Sequence, residues 1–399
     1  MSSSSPIRIP IVDLRAQYGK IRDEVRSAID EIAESQQFIL GPAVTRFEAQ
    51  MSAYLDCNHT VGVASGSDAL LLALMALDIG PGDAVITTPF TFFSTVSAIT
   101  RLGALPLFVD INFEDFLLSA KAVADFLNER GSIRNGVTID TKTGRRIKAL
   151  LPVHLFGQCC AMTEFVELAR RFQLHIVEDV AQACGAWMKI DGKTTFAGSF
   201  GDLGCFSFFP SKNLGSFGDA GLVSTESTDL AARLRMLRMH GESAKYHHAV
   251  TGVNSRLDSL QAAILSVKLR YLETWCEARI ERADTYRRLF SASGLVGHQL
   301  VAIPLESTDK SHVFNNYVIR ALQRDQLKQF LADNAIQSEI YYPVPLHLQK
   351  CFADLAHRQG EFPQSELAAN QVLALPLYPE LTVEQQELVV ATISAFYRR

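Results

Sequence analysis

Three short segments carry residue types that can do chemistry together. Phe206-Ser207-Phe208-Phe209-Pro210-Ser211-Lys212-Asn213-Leu214-Gly215 is an apolar run that stops at a proline and delivers one amine into a turn. Val177-Glu178-Asp179 ends a second apolar run on a carboxylate. Ala64-Ser65-Gly66-Ser67-Asp68 ends a third on a glycine–serine turn that opens a helix. An amine beside a desolvated site has its pKa lowered and adds readily to a carbonyl. A carboxylate at a strand end can hold a pyridine nitrogen protonated. The free N–H groups and dipole of a helix start favour an anion by roughly 0.3–2 kcal/mol, and the Ser67 hydroxyl can add a hydrogen bond. An amine, a ring-nitrogen carboxylate and an anion cradle are the three fittings that pyridoxal phosphate (PLP) needs.

Each fitting has an ordinary reading of its own. Ser and Asp are common helix caps, most lysines face solvent, and carboxylates at loop starts are mostly solvated. What counts is the joint occurrence, in order, of Gly66-Ser67, Phe92, Asp179, Ser207 and Lys212, all just past apolar runs. Phe92, in Thr88-Pro89-Phe90-Thr91-Phe92-Phe93-Ser94-Thr95, can stack on a flat ring. Gln182 lies three residues after Asp179, within reach of a ring hydroxyl. No G-x-G-x-x-G follows the Val61–Ala64 strand, which argues against a nicotinamide dehydrogenase.

The elements that must position these groups alternate. Strand candidates are Val61–Ala64, Ala84–Thr88, Leu105–Val109, Ile147–His154, His175–Asp179, Gly204–Phe208 and Gly221–Ser224. Helical patterns such as Asp68–Leu77, Ala120–Arg130 and Thr163–Phe172 lie between them. This alternation predicts an α/β fold with a mainly parallel seven-stranded sheet, and such sheets bind ligands beyond the carboxyl ends of their strands. Gly131–Arg146, with Asn135-Gly136 and Lys142-Thr143-Gly144, reads as a hairpin inserted before the Ile147 strand. After about Ser255 a long helical stretch, Ser255–Ser291, leads into a mixed region with a Tyr317–Ile319 strand and an Arg324–Asn334 helix. The expectation is a large domain over residues 1–255 and a smaller α+β domain over 256–399, with a helix at Leu14–Ser35 packing against the smaller one.

Composition narrows the class. The chain has 399 residues, 48% hydrophobic and 20% charged, with a formal net charge of −5. That length supports a large core. There is no basic stretch for nucleic acid, no apolar run near membrane-span length, and the start, Met1-Ser2-Ser3-Ser4-Ser5-Pro6, lacks an apolar signal core. A cytoplasmic protein is expected. The seven cysteines show no CxxC spacing, so neither a metal site nor a disulfide framework is expected.

Several blocks resemble the PLP-dependent nucleotide-sugar aminotransferases of the DegT/DnrJ/EryC1/StrS family, which have the fold-type-I architecture. They are Ser65–Leu70, Pro81-Gly82-Asp83, Pro152–Gln158, Glu178–Ala183, Phe206–Gly215, Gly252–Leu257 and Tyr342–His347, in the family's order from about residue 8 to 380. The resemblance implies that Lys212 is the Schiff-base lysine and proton carrier, that Asp179 pairs with the pyridine nitrogen, Gln182 with the ring hydroxyl, and that Phe92 stacks on the ring. It implies that Gly66, Ser67, Asp68 and Ser207 bind the phosphate. Asn254 would complete that site in the partner subunit, giving a homodimer with shared active sites. L-Glutamate would be the donor and a keto-sugar linked to dTDP or UDP the acceptor. Arg256, Tyr341, Tyr342 and His347, with Lys245 and Tyr246, would lie on the nucleotide-sugar side. Two departures stand out: Tyr341-Tyr342-Pro343 where relatives often have His-Tyr-Pro, and Gly218-Asp219-Ala220-Gly221 where many have Gly-Glu-Gly-Gly. With Lys-Asn-Leu-Gly, the latter is most like the branch that aminates C3; C4 amination is the alternative. A sugar dehydratase of this family would carry His in place of Lys212. A non-catalytic PLP-binding regulator would usually carry a DNA-binding segment, for which the first forty residues are too short and too acidic.

Overall fold

A computed structural model describes residues 8–190, 192–305 and 309–399. The serine-rich start therefore lies outside the described residues. The strands of the first two thirds are β1 (His59–Val63), β2 (Asp83–Thr87), β3 (Leu105–Phe108), β4 (Gly131–Arg134), β5 (Val137–Asp140), β6 (Arg146–Leu150), β7 (His175–Asp179), β8 (Trp187–Ile190), β9 (Lys193–Phe196), β10 (Leu203–Ser207) and β11 (Gly221–Thr225). Seven of them line up as β1-β11-β10-β7-β6-β2-β3. From β10 to β3 every pairing is parallel, and only β11 runs against its neighbours. All seven expected strands are present, with bounds that differ by a few residues at most. The central ones are mostly buried, as strands covered on both faces must be.

The helices that cover the sheet are α1 (Leu14–Ser35), α2 (Pro42–Leu55), α3 (Gly66–Ala76), α4 (Phe93–Arg101), α5 (Ala120–Arg130), α6 (Met162–Phe172), α7 (Thr228–Leu237), α8 (Ser259–Leu269) and α9 (Leu272–Ser293). Their cores are contiguous: Leu70, Leu74, Ile86, Ile99, Leu150, Phe165 and Val177 pack in one cluster, and Phe47, Phe206, Phe208, Leu257 and Leu265 in another. The inserted hairpin forms as β4–β5 about an Asn135-Gly136 turn and joins the sheet edge through Ile139 opposite Arg146. Arg130 grips Asp140 with two hydrogen bonds, of 2.9 and 2.7 Å, at its base. Among the elements that were not anticipated, two flank the site region. The β8–β9 hairpin is one, although Asp191-Gly192 is a hairpin signal. Helix α4, which starts directly after Phe92, is the other.

Beyond α7 comes a small exposed hairpin, β12 (Glu242–Ala244) and β13 (His247–His248). A three-stranded antiparallel sheet follows, of β14 (Val301–Ala302), β15 (Tyr317–Ala321) and β16 (Val372–Leu375), flanked by α10 (Arg324–Asp333), α11 (Pro363–Gln371) and α12 (Val383–Tyr397). Its core takes Ala283, Tyr286 and Phe290 from the later part of α9, and also Ile9. Helix α8 instead packs with α2, and α1 lies on it through Ile21, Val25, Ile264, Val267 and Trp275. The two-domain division is a proposal; packing puts the passage between the two cores inside α9 rather than at residue 255.

Candidate active site

The turn that carries Lys212 is closed by its own backbone. The N–H and hydroxyl of Ser216 both donate to the Phe208 carbonyl, at 2.8 and 2.7 Å, and the Lys212 N–H donates to Phe209 at 2.9 Å. Asn213 is buried, and its side-chain amide donates to the Val313 carbonyl at 3.0 Å. The side chain of Lys212 is thereby directed into a cavity of about 480 Å³ at the carboxyl ends of β7 and β10. Burial lowers its amine from the ordinary value to about 8, and the Asp179 carboxylate opposes that shift.

Asp179 ends β7 on the same cavity and is buried. Burial raises its carboxyl pKa. The Thr95 hydroxyl (2.8 Å to Oδ2), the Ala181 N–H (3.1 Å to Oδ1) and the Lys212 amine pull it back. A buried carboxylate with two donors and no cation bonded to it is matched to a cationic group entering the cavity. Behind it, Glu178 is fully buried and accepts three backbone N–H bonds of 2.8 Å, from Gly198, Phe200 and Gly201, and one of 2.9 Å from His154 Nε2. His154 Nδ1 accepts the Cys160 N–H at 3.0 Å, which fixes the Nε2–H tautomer. The adjacent acid thus locks the strand end and leaves Asp179 to face the cavity.

Gln182 lines the cavity as well. Its Oε1 accepts the Phe156 N–H at 2.7 Å and its Nε2 donates to the Tyr342 hydroxyl at 3.1 Å. Phe92, the residue before α4, leaves 55% of its surface open and lies 6.0 Å, centroid to centroid, from Tyr342. A large aromatic with that much free face at a cavity wall is suited to stack on a planar ring.

The opposite end is the start of α3. Ser65 caps it, accepting the Asp68 N–H at 3.1 Å. Among the described residues nothing accepts from the N–H groups of Gly66 or Ser67. The Ser67 and Ser94 hydroxyls meet at 2.6 Å, and Ser207 borders the same space. Gly66 has to be glycine: a Cβ there would lie 2.4 Å from Ser207 Cβ. Two free N–H groups, three hydroxyls and a backbone approach with no Cβ form a cradle that fits a phosphate.

Gly66, Ser67, Phe92, Asp179, Gln182, Ser207, Lys212, Tyr341 and Tyr342 therefore converge on one cavity. Six sequence candidates do not reach it. Asp68 is turned away: its carboxylate accepts the Ser255 hydroxyl at 2.8 Å and its N–H is used by the cap, so it has no group to offer a phosphate. His347 is a core residue, because the short Leu346–Leu348 turn points its ring inward, 4.7 Å from Phe362, where Nε2 meets Glu366 at 3.1 Å. Asn254 and Arg256 follow the β12–β13 hairpin outside the cavity, Asn254 exposed, as is Tyr246 at the hairpin tip, beside Lys245. Thr95, Ser94, Asp219, Asn315 and Asn316 were not anticipated. Thr95 had a legible signal, one helical turn beyond Phe92; the two asparagines had none, since they come from a distant loop.

An amine and an acid on neighbouring parallel strands, with an anion cradle at a third strand end, define a fold-type-I PLP-dependent transferase. Comparison with known proteins carries this further: the DegT/DnrJ/EryC1/StrS aminotransferase family matches residues 19–394, and the chain belongs to that family. It is 44% identical over 392 residues to a pleiotropic regulatory protein of Geobacillus stearothermophilus, covering 98% of this chain and 99% of that one. It is 41% identical over 391 residues to UDP-N-acetyl-3-dehydro-alpha-D-glucosamine 3-aminotransferase of Acidithiobacillus ferrooxidans, covering 98% and 97%. Among solved structures, DesV of Streptomyces venezuelae superimposes with a TM-score of 0.88 at 39% identity, covering 98% and 99%. NtdA of Bacillus subtilis, solved with bound pyridoxamine phosphate, does so with a TM-score of 0.85 at 27% identity, covering 100% and 87%.

Proposed function

We propose that this aminotransferase moves the amino group of L-glutamate to the keto carbon, C3 in preference to C4, of a hexose linked to dTDP or UDP. The observation that carries the reading is that the Lys212 amine and the Asp179 carboxylate face one cavity whose far wall is the Gly66-Ser67 cradle. C3 is favoured by the Gly218-Asp219-Ala220-Gly221 turn and by the name of the Acidithiobacillus relative. Cytoplasmic location goes with this reading; among the described residues no helix is long and apolar enough to cross a membrane.

PLP, when bound, supplies the electron sink that makes a Cα–H acidic. Asp179 would hold its ring nitrogen protonated, Gln182 and Tyr342 would meet the ring hydroxyl edge, Phe92 would cover one face, and Gly66, Ser67 and Ser207 would hold the phosphate. Among the described residues Lys212 is the only lysine on the cavity wall. With its pKa near 8 it can take a proton from the donor's Cα and return it near neutral pH. Tyr341 sits at the wall where the acceptor sugar would enter. Asn254, exposed and outside its own cavity, would act on the phosphate held by a partner subunit.

The test is optical and then chemical. The purified protein should be yellow, and the band should fade when L-glutamate is added. Keto-sugar nucleotides should then restore it, with the position of the new amine read by NMR. The Geobacillus relative's name raises the reading of a PLP-binding regulator without turnover. A yellow protein whose band ignores glutamate and every amino donor would favour that reading over ours.

A further inference from the structure

Lys268 is a buried cation that the cavity groups do not explain. Lys268, in the last turn of α8, is 3% exposed, and among the described residues it has no carboxylate within ion-pair distance. An unpaired ammonium is costly to bury, so its partners should reveal its use. They are the rings of Phe217 and Trp275, each 5.8 Å from Nζ, and the carbonyl of Gly215, to which Nζ donates a hydrogen bond. Tyr18 of α1 closes over the same place, edge-on to Phe217 at 5.6 Å.

Gly215 is three residues past Lys212, at the base of the turn that presents its amine. That turn is tight: a Cβ on Gly215 would lie 2.3 Å from the Pro210 carbonyl oxygen. Its other outside ties are the Asn213 amide on the Val313 carbonyl and, at 3.8 Å, on Cys276 Sγ, and the Phe217 N–H on Oε1 of Gln261, also on α8, at 2.8 Å. The carbonyl of Gly215 is thus held by α8 and the amide of Asn213 by Val313, both within three residues after Lys212.

We propose that Lys268 is a positioning residue, a buried donor that clamps the Gly215 carbonyl and so fixes the turn from which Lys212 reaches the cofactor and the donor's Cα. The inference rests on the reading of Lys212 given above. Without the Nζ donor, a buried carbonyl is left unpaired and the turn relaxes by moving that carbonyl toward water. The Lys212 amine then loses its fixed approach, and groups that must meet within about 3–3.5 Å to react miss each other more often. An ammonium suits the place because a charged donor makes a stronger bond than a neutral one, and two aromatic faces accept its remaining charge.

The experiment compares the full-length wild type with Lys268→Met and Lys268→Arg, with Lys268→Gln in reserve if the methionine variant does not fold. Three quantities are read: the rate at which PLP leaves the holoenzyme, the single-turnover rate of the glutamate half-reaction, and the thermal midpoint. Lys268→Met should release PLP about tenfold faster and run the half-reaction about tenfold slower, the scale of one lost charge-assisted bond, with the KM for glutamate within about twofold. Lys268→Arg should recover most of both. Wild-type release and half-reaction rates in Lys268→Met, or a lower thermal midpoint with those rates unchanged, would overturn the inference. A wild type that takes up no PLP would instead sink the functional reading on which it rests.

Discussion

Lys212 should titrate near pH 8 in the cofactor-free protein, and Asp179 should set where it does so. Burial lowers the amine from its ordinary value to about 8, and the carboxylate of Asp179 holds it from falling further. At pH 7 an amine of pKa 8 is neutral about one time in eleven, whereas an ordinary lysine is neutral about once in 3,000. The cavity thus makes the nucleophilic form roughly 300-fold more abundant. Asp179→Asn removes the charge that stabilises the ammonium, so the inflection must move down, and labelling at pH 7 must speed up even though the variant is catalytically crippled. The assay is acylation of the cofactor-free protein by a small amine reagent across pH 6–11, with Lys212 modification followed by mass spectrometry and exposed lysines as internal standards. The wild type should give an inflection near 8 and the variant one below it. An inflection at or above 10 in the wild type, or an unchanged or higher one in Asp179→Asn, would refute the account of how this amine is activated.

Three further outcomes follow from the geometry. Gly66→Ala places a Cβ 2.4 Å from Ser207 Cβ, so the cradle must open; PLP affinity measured by reconstitution should fall at least about tenfold while the cofactor-free fold stays native by circular dichroism. Thr95→Val removes the 2.8 Å bond to Asp179; a bond to a charged acceptor is worth about 1.5–3 kcal/mol, so the thermal midpoint of the cofactor-free protein should fall and kcat/KM should drop roughly ten- to hundredfold. Lys212→Ala and Asn254→Ala are each expected to be defective, but subunit exchange between them should restore activity, since one site of each hybrid dimer carries both intact residues; at full 1:1 exchange about a quarter of all sites recover. No recovery, with hybrid formation verified by native mass spectrometry, would place Asn254 outside the partner's site.

Much of the frame was legible because its signals are local. Seven strands appear where short apolar runs were marked, most of them ending in Gly, Pro or Asp, and α1 forms over the residues the periodicity marked. Lys212, Asp179, Gly66 and Ser67 were readable because parallel strands bring their carboxyl ends to one edge, so residues just past three such runs must be neighbours. Helix α4 was hidden by its Pro- and Phe-rich approach, and β8–β9 by reading only longer runs. Asp68 and His347 lie in the expected segments but their side chains turn away from the cavity. Asp68 meets Ser255, 187 positions on, and His347 meets Phe362 and Glu366 in the α11 region.

The sequence by itself determined the order of the elements, the parallel sheet and the chemical fittings at its edge, since apolar periodicity and turn residues act over a few positions. Only the tertiary structure decided which fittings are engaged. It closed Glu178 into a cage of backbone N–H groups and left Asp179 facing the cavity beside it. It also placed Thr95 on that carboxylate and Lys268 beneath the turn that carries Lys212. Those choices depend on contacts between residues 20 to 84 positions apart, where hydrogen-bond geometry and desolvation, rather than pattern, select the partner.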